Sequence, residues 1–441
     1  MTSPSTGLPK RVTVTPEGPL RGQLRLPGDK SISHRALIFG ALAPQGSRIE
    51  GLLEAGDVAA TQAAVEALGA EVVVEGPGRR TVRGPARLQE PVDVVDCGNS
   101  GTSIRLLCGL LAGIDGLSVL TGDSSLRRRP MARVVEPLRR MGATVDGREG
   151  GRLAPLSVRG GGLRSVAHDL PIASAQVKSS LLLAGLSCGV SVREPRQSRD
   201  HTERFLAAMG APVARDADGW LHLAGGQPLR SVDVTVPADI SSAAFLLAAA
   251  SLIPGSEVHL PGVGLNPTRT GVVDALRAMG ADIDIVDEVD DGLEPRGTLV
   301  VRHAPLRGAR IDGELALRSL DELPVLSVAA AFASGPTTIA DAAELRVKES
   351  DRIARVAAGL RSLGVTVDER PDGMTIHPPE GGPVGPATID ASGDHRLAMS
   401  FAVAGRMTPG GVTIEAADAV ASSWPGFYEA LAALSGSSGG A

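Results

Sequence analysis

One helix ending recurs along the whole chain. The pattern Leu-x-x-Met/Leu-Gly-Ala/Val occurs at Leu138 to Ala143, Leu206 to Ala211, Leu276 to Ala281 and Leu360 to Val365, with weaker copies at Val65 to Ala70 and Leu431 to Leu434. Its glycine positions, Gly69, Gly142, Gly210, Gly280, Gly364 and Ser435 in the last copy, lie 73, 68, 70, 84 and 71 residues apart. A fixed period running the length of a chain means one supersecondary unit repeated, here six times. Each glycine falls where a helix C-terminus takes a left-handed residue, and β-rich stretches such as Ala70 to Val74 and Ala281 to Ile285 follow. The unit therefore contains helix, turn and strand.

A second series keeps the same period. Alanine-rich apolar segments begin near Lys30, Gly101, Gln176, Asp239, Asp321 and Asp394. They are apolar on most faces, which predicts buried helices. With 43% hydrophobic residues but only 6 Phe, 2 Trp and 1 Tyr, the core is built from Ala, Val, Leu and Ile, and 55 Gly supply the turns. At 441 residues the chain is long enough for two or more domains.

Composition also excludes several functions. Nine aromatics and 44 basic against 50 acidic residues, net −6, supply neither stacking platforms nor a basic surface for nucleic acid. Cys97, Cys108 and Cys188 have no metal-ligand spacing and cannot form a fully paired disulfide framework, which fits a reducing cytoplasm. Met1 to Arg11 has no apolar signal core, and apolar runs of the Ala243 to Ile253 kind are too short to cross a bilayer. The chain ends, Thr2 to Pro9 and Ser435 to Ala441, read as short disordered tails. Gly28-Asp-Lys-Ser31 is not a P-loop, because Asp29 separates the glycine from Lys30 and five residues, not four, lie between Gly22 and Gly28. No metal site is expected; His34, His201 and His395 are scattered and read as supporting residues.

Five of the six buried helices open with polar clusters: Gly28 to Arg35, Asn99 to Arg105, Ser174 to Ser179, Ser319 to Pro324 and Gly393 to Arg396. The sixth, Asp239-Ile-Ser-Ser242, reads as an ordinary N-cap. Helix N-termini favour anions, so several directed at one place would make an anion site. The second helix of each unit adds basic residues near its start: Arg127-Arg-Arg-Pro130 with Pro130 in the first turn, Arg199, Arg269, and Lys348 with Arg352. Lys348 and Arg352 are four apart and are expected on one helical face, beside Glu349.

Lys30-Ser-x-Ser-x-Arg35, Asn99-Ser-Gly-Thr102, Ser174-Ala-Gln176, Arg199-Asp-His-Thr202, Leu345-Arg-Val-Lys-Glu-Ser-Asp-Arg352 and Asp394-His-Arg396 together resemble the 5-enolpyruvylshikimate-3-phosphate (EPSP) synthase family. The resemblance covers nearly the whole chain. It implies an α/β (α+β) fold: a two-domain inside-out α/β barrel of six βαβαββ-type units, three per domain. Residues 1–27 with 237–441 would form one domain and 28–236 the other, with the active site in the cleft between them. The implied activity is transfer of the enolpyruvyl group of phosphoenolpyruvate to the 5-hydroxyl of 3-phosphoshikimate, on the shikimate route to chorismate and the aromatic amino acids. No cofactor is implied. The implied partners are these two small molecules, with no nucleic acid or membrane, and the implied state is a cytoplasmic monomer.

Position by position, the resemblance implies that Lys30, Ser31, Arg35, Ser174, Ala175, Gln176, Arg199, Asp321 and Lys348 contact 3-phosphoshikimate. Lys30, Gly101, Arg129, Gln176, Arg352 and Arg396 would hold phosphoenolpyruvate, where guanidinium forks suit carboxylate and phosphate. The paired carboxylates are Asp321, nearest the hydroxyl, and Glu349, nearest the methylene carbon, with Lys30 and Lys348 stabilising charge. Seven cations offset by two carboxylates roughly balance the substrates' charge, and repulsion among them should keep the cleft open until an anion arrives. At Ser422 some members of the family carry a lysine, so no role is assigned there. Ala175 and Arg199-Asp-His201 resemble the glyphosate-tolerant bacterial subgroup, but tolerance goes with alanine at the position of Gly101, which implies sensitivity. Two other readings are weaker. The sister transferase acting on UDP-N-acetylglucosamine has an early Lys-Asn pair where this chain has Lys30-Ser31 and carries a loop cysteine, whereas Cys97 and Cys108 flank a helix start and read as packed small residues. A silent anion-binding scaffold has no reason to keep Asp321 and Glu349 among cations.

Overall fold

The computed structural model describes residues 7–436. The chain forms two compact units with separate apolar cores: residues 1–27, 237–290 and 295–441 in the first, and 28–236 with 291–294 in the second. The segment Asp291–Glu294 thus packs with the second unit, although the sequence reading had placed it with the first. Leu293 joins the second unit's core and Glu294 meets His201 Nδ1 at 2.6 Å, both side chains buried.

Each unit is built round three buried helices. In the second unit these are Lys30–Gly40, Gly101–Ala112 and Ala175–Ala184, and in the first Ile240–Leu252, Leu323–Ala331 and His395–Gly405. Every residue of Ile240–Leu252 and of Leu323–Ala331 is buried, as their all-round Ala/Leu/Val composition requires. The second helices, Gly56–Ala67, Ala132–Met141, His201–Ala208, Gly271–Ala278, Arg352–Ser362 and Phe427–Ala433, are amphipathic or short. The glycines that end five of them all have positive φ, from +75° at Gly364 to +111° at Gly142, the left-handed conformation their spacing predicts. Helix Ala132–Met141 starts after Pro130 and not at it, because Met131 is its N-cap.

Small sheets cover the helices, with alternating buried and exposed residues in strands such as Leu153–Gly160. The repeat is clearest in the strands Val95–Asp96, Gly116–Thr121, Leu153–Gly160 and Thr144–Gly147, which lie in that order, the first pair parallel and the rest antiparallel. Strands Ala167–Asp169, Val190–Arg193, Leu221–Leu223 and Val213–Arg215 repeat it, as do Arg310–Ile311, Thr337–Ile339, Gly373–His377 and Thr366–Arg370.

Two sheets complete the pattern by exchange. Arg21–Gln23, which precedes the Lys30–Gly40 helix, pairs in parallel with Glu257–Gly264, while Val234–Thr235, which precedes Ile240–Leu252, pairs in parallel with Ser47–Glu50. The chain therefore leaves each unit after one strand of a repeat. The sixth sheet has three strands: Ala387–Asp390 and Val412–Glu415 are parallel, and N-terminal Arg11–Val14 pairs antiparallel with the latter. The sixth repeat is thus closed by the other end of the chain.

Close helix packing demands small residues. A Cβ on Gly109 would lie 2.0 Å from the Ser180 carbonyl oxygen of the neighbouring helix. We predict that Gly109→Ala lowers stability by about 1–3 kcal/mol in urea titrations, whereas Gly56→Ala, which meets nothing within 4 Å, leaves it unchanged or slightly raised.

Candidate active site

A helix buried along its length leaves unpaired backbone donors only at its N-terminus, and in each unit the three N-termini meet. In the first unit, Ser241, Glu322 and Arg396 come from the starts of the three buried helices. The Ser241 hydroxyl hydrogen-bonds to the Glu322 carboxylate and accepts from Arg396 Nη2 at 3.3 Å and Arg269 Nη2 at 2.7 Å. Asp239, read as an ordinary cap, does cap Ser241 N at 3.0 Å, but its neighbour is a junction of this cluster. Glu322 and Arg269 are almost fully buried, and both went unassigned in the sequence. Glu322 directly follows Asp321, and a carboxylate beside an assigned one was the signal available.

Arg352 is the centre of the remaining first-unit residues. Its guanidinium donates to Asp394 Oδ2 at 2.8 Å through Nε, to Asp321 Oδ1 at 3.3 Å through Nη1 and to Glu349 Oε2 at 2.6 Å through Nη2. Burial alone would lower its pKa, but Asp394, Glu349 and Asp321 outweigh burial and hold it above its ordinary value. Lys348 Nζ lies 3.5 Å from Asp321 Oδ1, and Arg396 Nη1 donates to the Asp321 carbonyl at 2.9 Å. Asp321, Lys348, Glu349, Arg352 and Arg396 are therefore one cluster. The route differs from the expected one: Lys348 and Arg352 do not share a helical face. Ala343–Val347 is a 3-10 turn, Lys348 is extended, and the helix begins at Arg352, capped by Asp351. The pair converges because both reach Asp321.

In the second unit, Lys30, Gly101 and the Ser174-Ala175-Gln176 segment mark the three N-termini. Lys30 Nζ pairs with Asp57 Oδ2 at 3.1 Å, a partner at the start of the second helix of the same repeat that sequence reasoning missed. Gln176 is fixed at both ends of its amide: Oε1 accepts from Arg105 Nη1 at 2.5 Å and Nε2 donates to Thr102 Oγ1 at 3.0 Å. Arg129 Nη2 donates to Asn99 Oδ1 at 2.6 Å. A Cβ on Gly101 would sit 3.0 Å from Arg129 Nη1 and 3.1 Å from Arg105 Nη1, so the glycine lets two guanidinium groups close over the helix start. Arg35, assigned to a substrate, is buried and already donates to Thr202 Oγ1, Ser31 O and Ser179 Oγ at 2.8, 2.9 and 2.8 Å. Burial lowers its pKa to about 10. Ser31, Ala175 and Arg199 are half-buried nearby on the same unit.

The supporting histidines are placed as follows. His34 Nδ1 bonds to Thr61 Oγ1 at 2.7 Å, and burial, with Lys30 and Arg35 adding to it, lowers its pKa to about 3. It is neutral and links the first helix to Thr61 and Ser103. His395 Nδ1 meets Ser422 Oγ at 3.2 Å. Cys97 and Cys108 are buried thiols, with the Cys108 pKa pushed up to about 12 by burial. Among the described residues no group of three or more His, Cys, Asp or Glu side chains could hold a metal ion, and no helix is long and apolar enough to cross a membrane.

Buried helices with converging polar N-termini, wrapped by small sheets, define the enolpyruvyl transferase fold. The enolpyruvyl transferase NikO from Streptomyces tendae shares it at a TM-score of 0.76, with 19% identity and 96% of each chain covered. An EPSP synthase structure from Acinetobacter baumannii matches at a TM-score of 0.85 and 40% identity, covering 96% of this chain and 98% of that one. The family model for EPSP synthase (3-phosphoshikimate 1-carboxyvinyltransferase) matches residues 14–431. Relatives bearing the name 3-phosphoshikimate 1-carboxyvinyltransferase include those of Anaeromyxobacter sp. (strain Fw109-5), 52% identical over 96% of this chain and 98% of its own, and of Thermus thermophilus, 52% identical with the same coverage. The chain belongs to the EPSP synthase family.

The neutral His34 has a consequence for stability. Its folded pKa lies below its unfolded value, so its contribution is present above about pH 6.5 and is lost as pH falls toward 3. We predict that the wild type loses about 2 kcal/mol more than His34→Gln between pH 7 and pH 5, measured by urea unfolding at each pH.

Proposed function

We propose that this chain transfers the enolpyruvyl group from phosphoenolpyruvate to the 5-hydroxyl of 3-phosphoshikimate, releasing phosphate. The single observation that carries the catalytic reading is the buried Arg352, which holds Asp321 and Glu349 around one guanidinium, beside Lys348. One guanidinium orients both groups for two proton movements: Asp321 acts as the carboxylate that accepts a proton, and Glu349 enters the addition as the carboxylic acid that gives one and takes it back in the elimination.

Asp321 takes the proton of the 5-hydroxyl as that oxygen attacks C2 of phosphoenolpyruvate. Glu349 handles the proton at C3: the methylene carbon gains one in the addition and loses one when the tetrahedral intermediate expels phosphate. Lys348 and Lys30 stabilise the charge that develops. On the second unit, Ser174, Ala175, Gln176, Arg199, Ser31 and Arg35 are assigned to 3-phosphoshikimate and Gly101, Arg129 and Gln176 to phosphoenolpyruvate; on the first unit, Arg352 and Arg396 are assigned to phosphoenolpyruvate. The three bonds that already hold Arg35 support an orienting role for it. Asp57, Glu322 and Asp394 add negative charge, and Arg105 and Arg269 positive charge, that the sequence balance of seven cations and two carboxylates left out.

A cytoplasmic monomer completes the reading. The three free cysteines, two of them buried, fit the reducing compartment of that reading.

Glu349→Gln is expected to fold and to bind 3-phosphoshikimate as the wild type does, while kcat falls by roughly a hundredfold or more. Turnover that stays unchanged in a coupled phosphate-release assay would remove the assignment. Glyphosate, a phosphoenolpyruvate competitor, is expected to inhibit. Gly101→Ala, which presses a methyl on Arg129 and Arg105, should raise both the half-inhibitory glyphosate concentration and the KM for phosphoenolpyruvate, with that for 3-phosphoshikimate little changed; equal inhibition of the two enzymes would contradict it.

A further inference from the structure

We propose that Glu194 is a positioning residue for the phosphate of 3-phosphoshikimate, tying together the two chain segments that bracket it. The inference rests on the substrate reading given above. Lys178 lies in the Ala175–Ala184 helix with its side chain wholly out of solvent. A lysine removed from water is tolerated only when paired. Its Nζ lies 2.9 Å from Glu194 Oε2 and 2.7 Å from Glu203 Oε1, and donates to Ser198 O at 3.4 Å. Burial would lower the Lys178 pKa, but Glu203 and Glu194 outweigh it and keep the ammonium charged.

Glu194 follows the strand Val190–Arg193, and its side chain is 4% exposed. Its Oε1 accepts from the Ser174 amide at 3.0 Å and from the Ser198 hydroxyl at 2.6 Å, and its Oε2 accepts from the Ser198 amide at 3.4 Å. One carboxylate thus fixes the residue that opens Ser174-Ala175-Gln176 and the residue that precedes Arg199. Both segments carry residues assigned above to 3-phosphoshikimate, and this carboxylate bonds to both of them.

The charge of the trio argues for direction over attraction. One lysine and two glutamates sum to −1, which would repel a phosphate, so the trio is not itself an anion subsite. Its contribution is to hold N–H and guanidinium donors on adjoining segments at a fixed separation, which lowers the ordering cost of binding. Glu203 shares Lys178 but touches neither segment's assigned residues by a hydrogen bond to Ser174 or Ser198, which makes it an internal control.

Three variants test this in steady-state assays with both substrates, alongside thermal melts. Glu194→Gln should raise the KM for 3-phosphoshikimate about tenfold, with kcat and the KM for phosphoenolpyruvate within about twofold. Ser198→Ala, which removes one donor and leaves the Lys178 pair intact, should raise the same KM about threefold. Glu203→Gln should lower the melting temperature but leave that KM within about twofold. An unchanged KM in Ser198→Ala, or an equal rise in all three, overturns the inference, and Ser198→Ala alone decides if Glu194→Gln does not fold. A wild-type chain with no turnover on these substrates refutes the enzymatic reading itself, and the inference with it; wild-type turnover with a flat variant pattern refutes only the role of Glu194.

Discussion

A helix with no solvent-facing side leaves backbone donors unpaired only at its first turn, and charged groups gather there. That constraint governs this protein. Ile240–Leu252 and Leu323–Ala331 are buried at every position and contain no charged side chain, so their charged neighbours sit in the residues that lead in, while Ser251 and Ser327 bond back to the Leu247 and Leu323 carbonyls. Because three such helices pack side by side in each unit, the confined groups necessarily meet. Ser241, Glu322 and Arg396 do so in one unit, and Thr102, Arg105 and Gln176 in the other.

The charges in these clusters arrive already partnered. Arg352 has three carboxylates, Lys30 has Asp57, and Arg396 has Asp321 and Glu322. A cation oriented by a fixed carboxylate loses little freedom when it turns to a ligand, and that is the physical content of preorganisation. Asp321 is shared by Lys348, Arg352 and Arg396. A change at any of these side chains therefore alters the field at the carboxylate proposed to accept the proton, so their substitutions should not behave additively.

Local rules carried the sequence reading a long way. Glycines at a constant spacing needed only the left-handed φ of a helix end, and alanine-rich runs needed only burial on all sides, so both series fell on helices at the expected places. The reading failed where contacts join distant parts of the chain. Asp57 meets Lys30 across 27 residues, Glu322 meets Ser241 across 81, and Glu294 meets His201 across 93. Lys348 and Arg352 were expected to meet through helical spacing, yet they meet through Asp321, because the helix begins only at Arg352.

By itself the sequence determined the six-fold repeat, the helix ends, the buried series and, through its motifs, the family, since each depends on residues close together in the chain. Tertiary structure decided which strand completes which sheet. Arg21–Gln23 and Val234–Thr235 each pair with a partner about two hundred residues or more away, and a short strand's own residues carry too little pattern to choose between equivalent edges. It also decided which carboxylate serves which cation: a charge in a sequence states only its sign, and its partner is whichever opposite charge the packing of helices brings within hydrogen-bond reach.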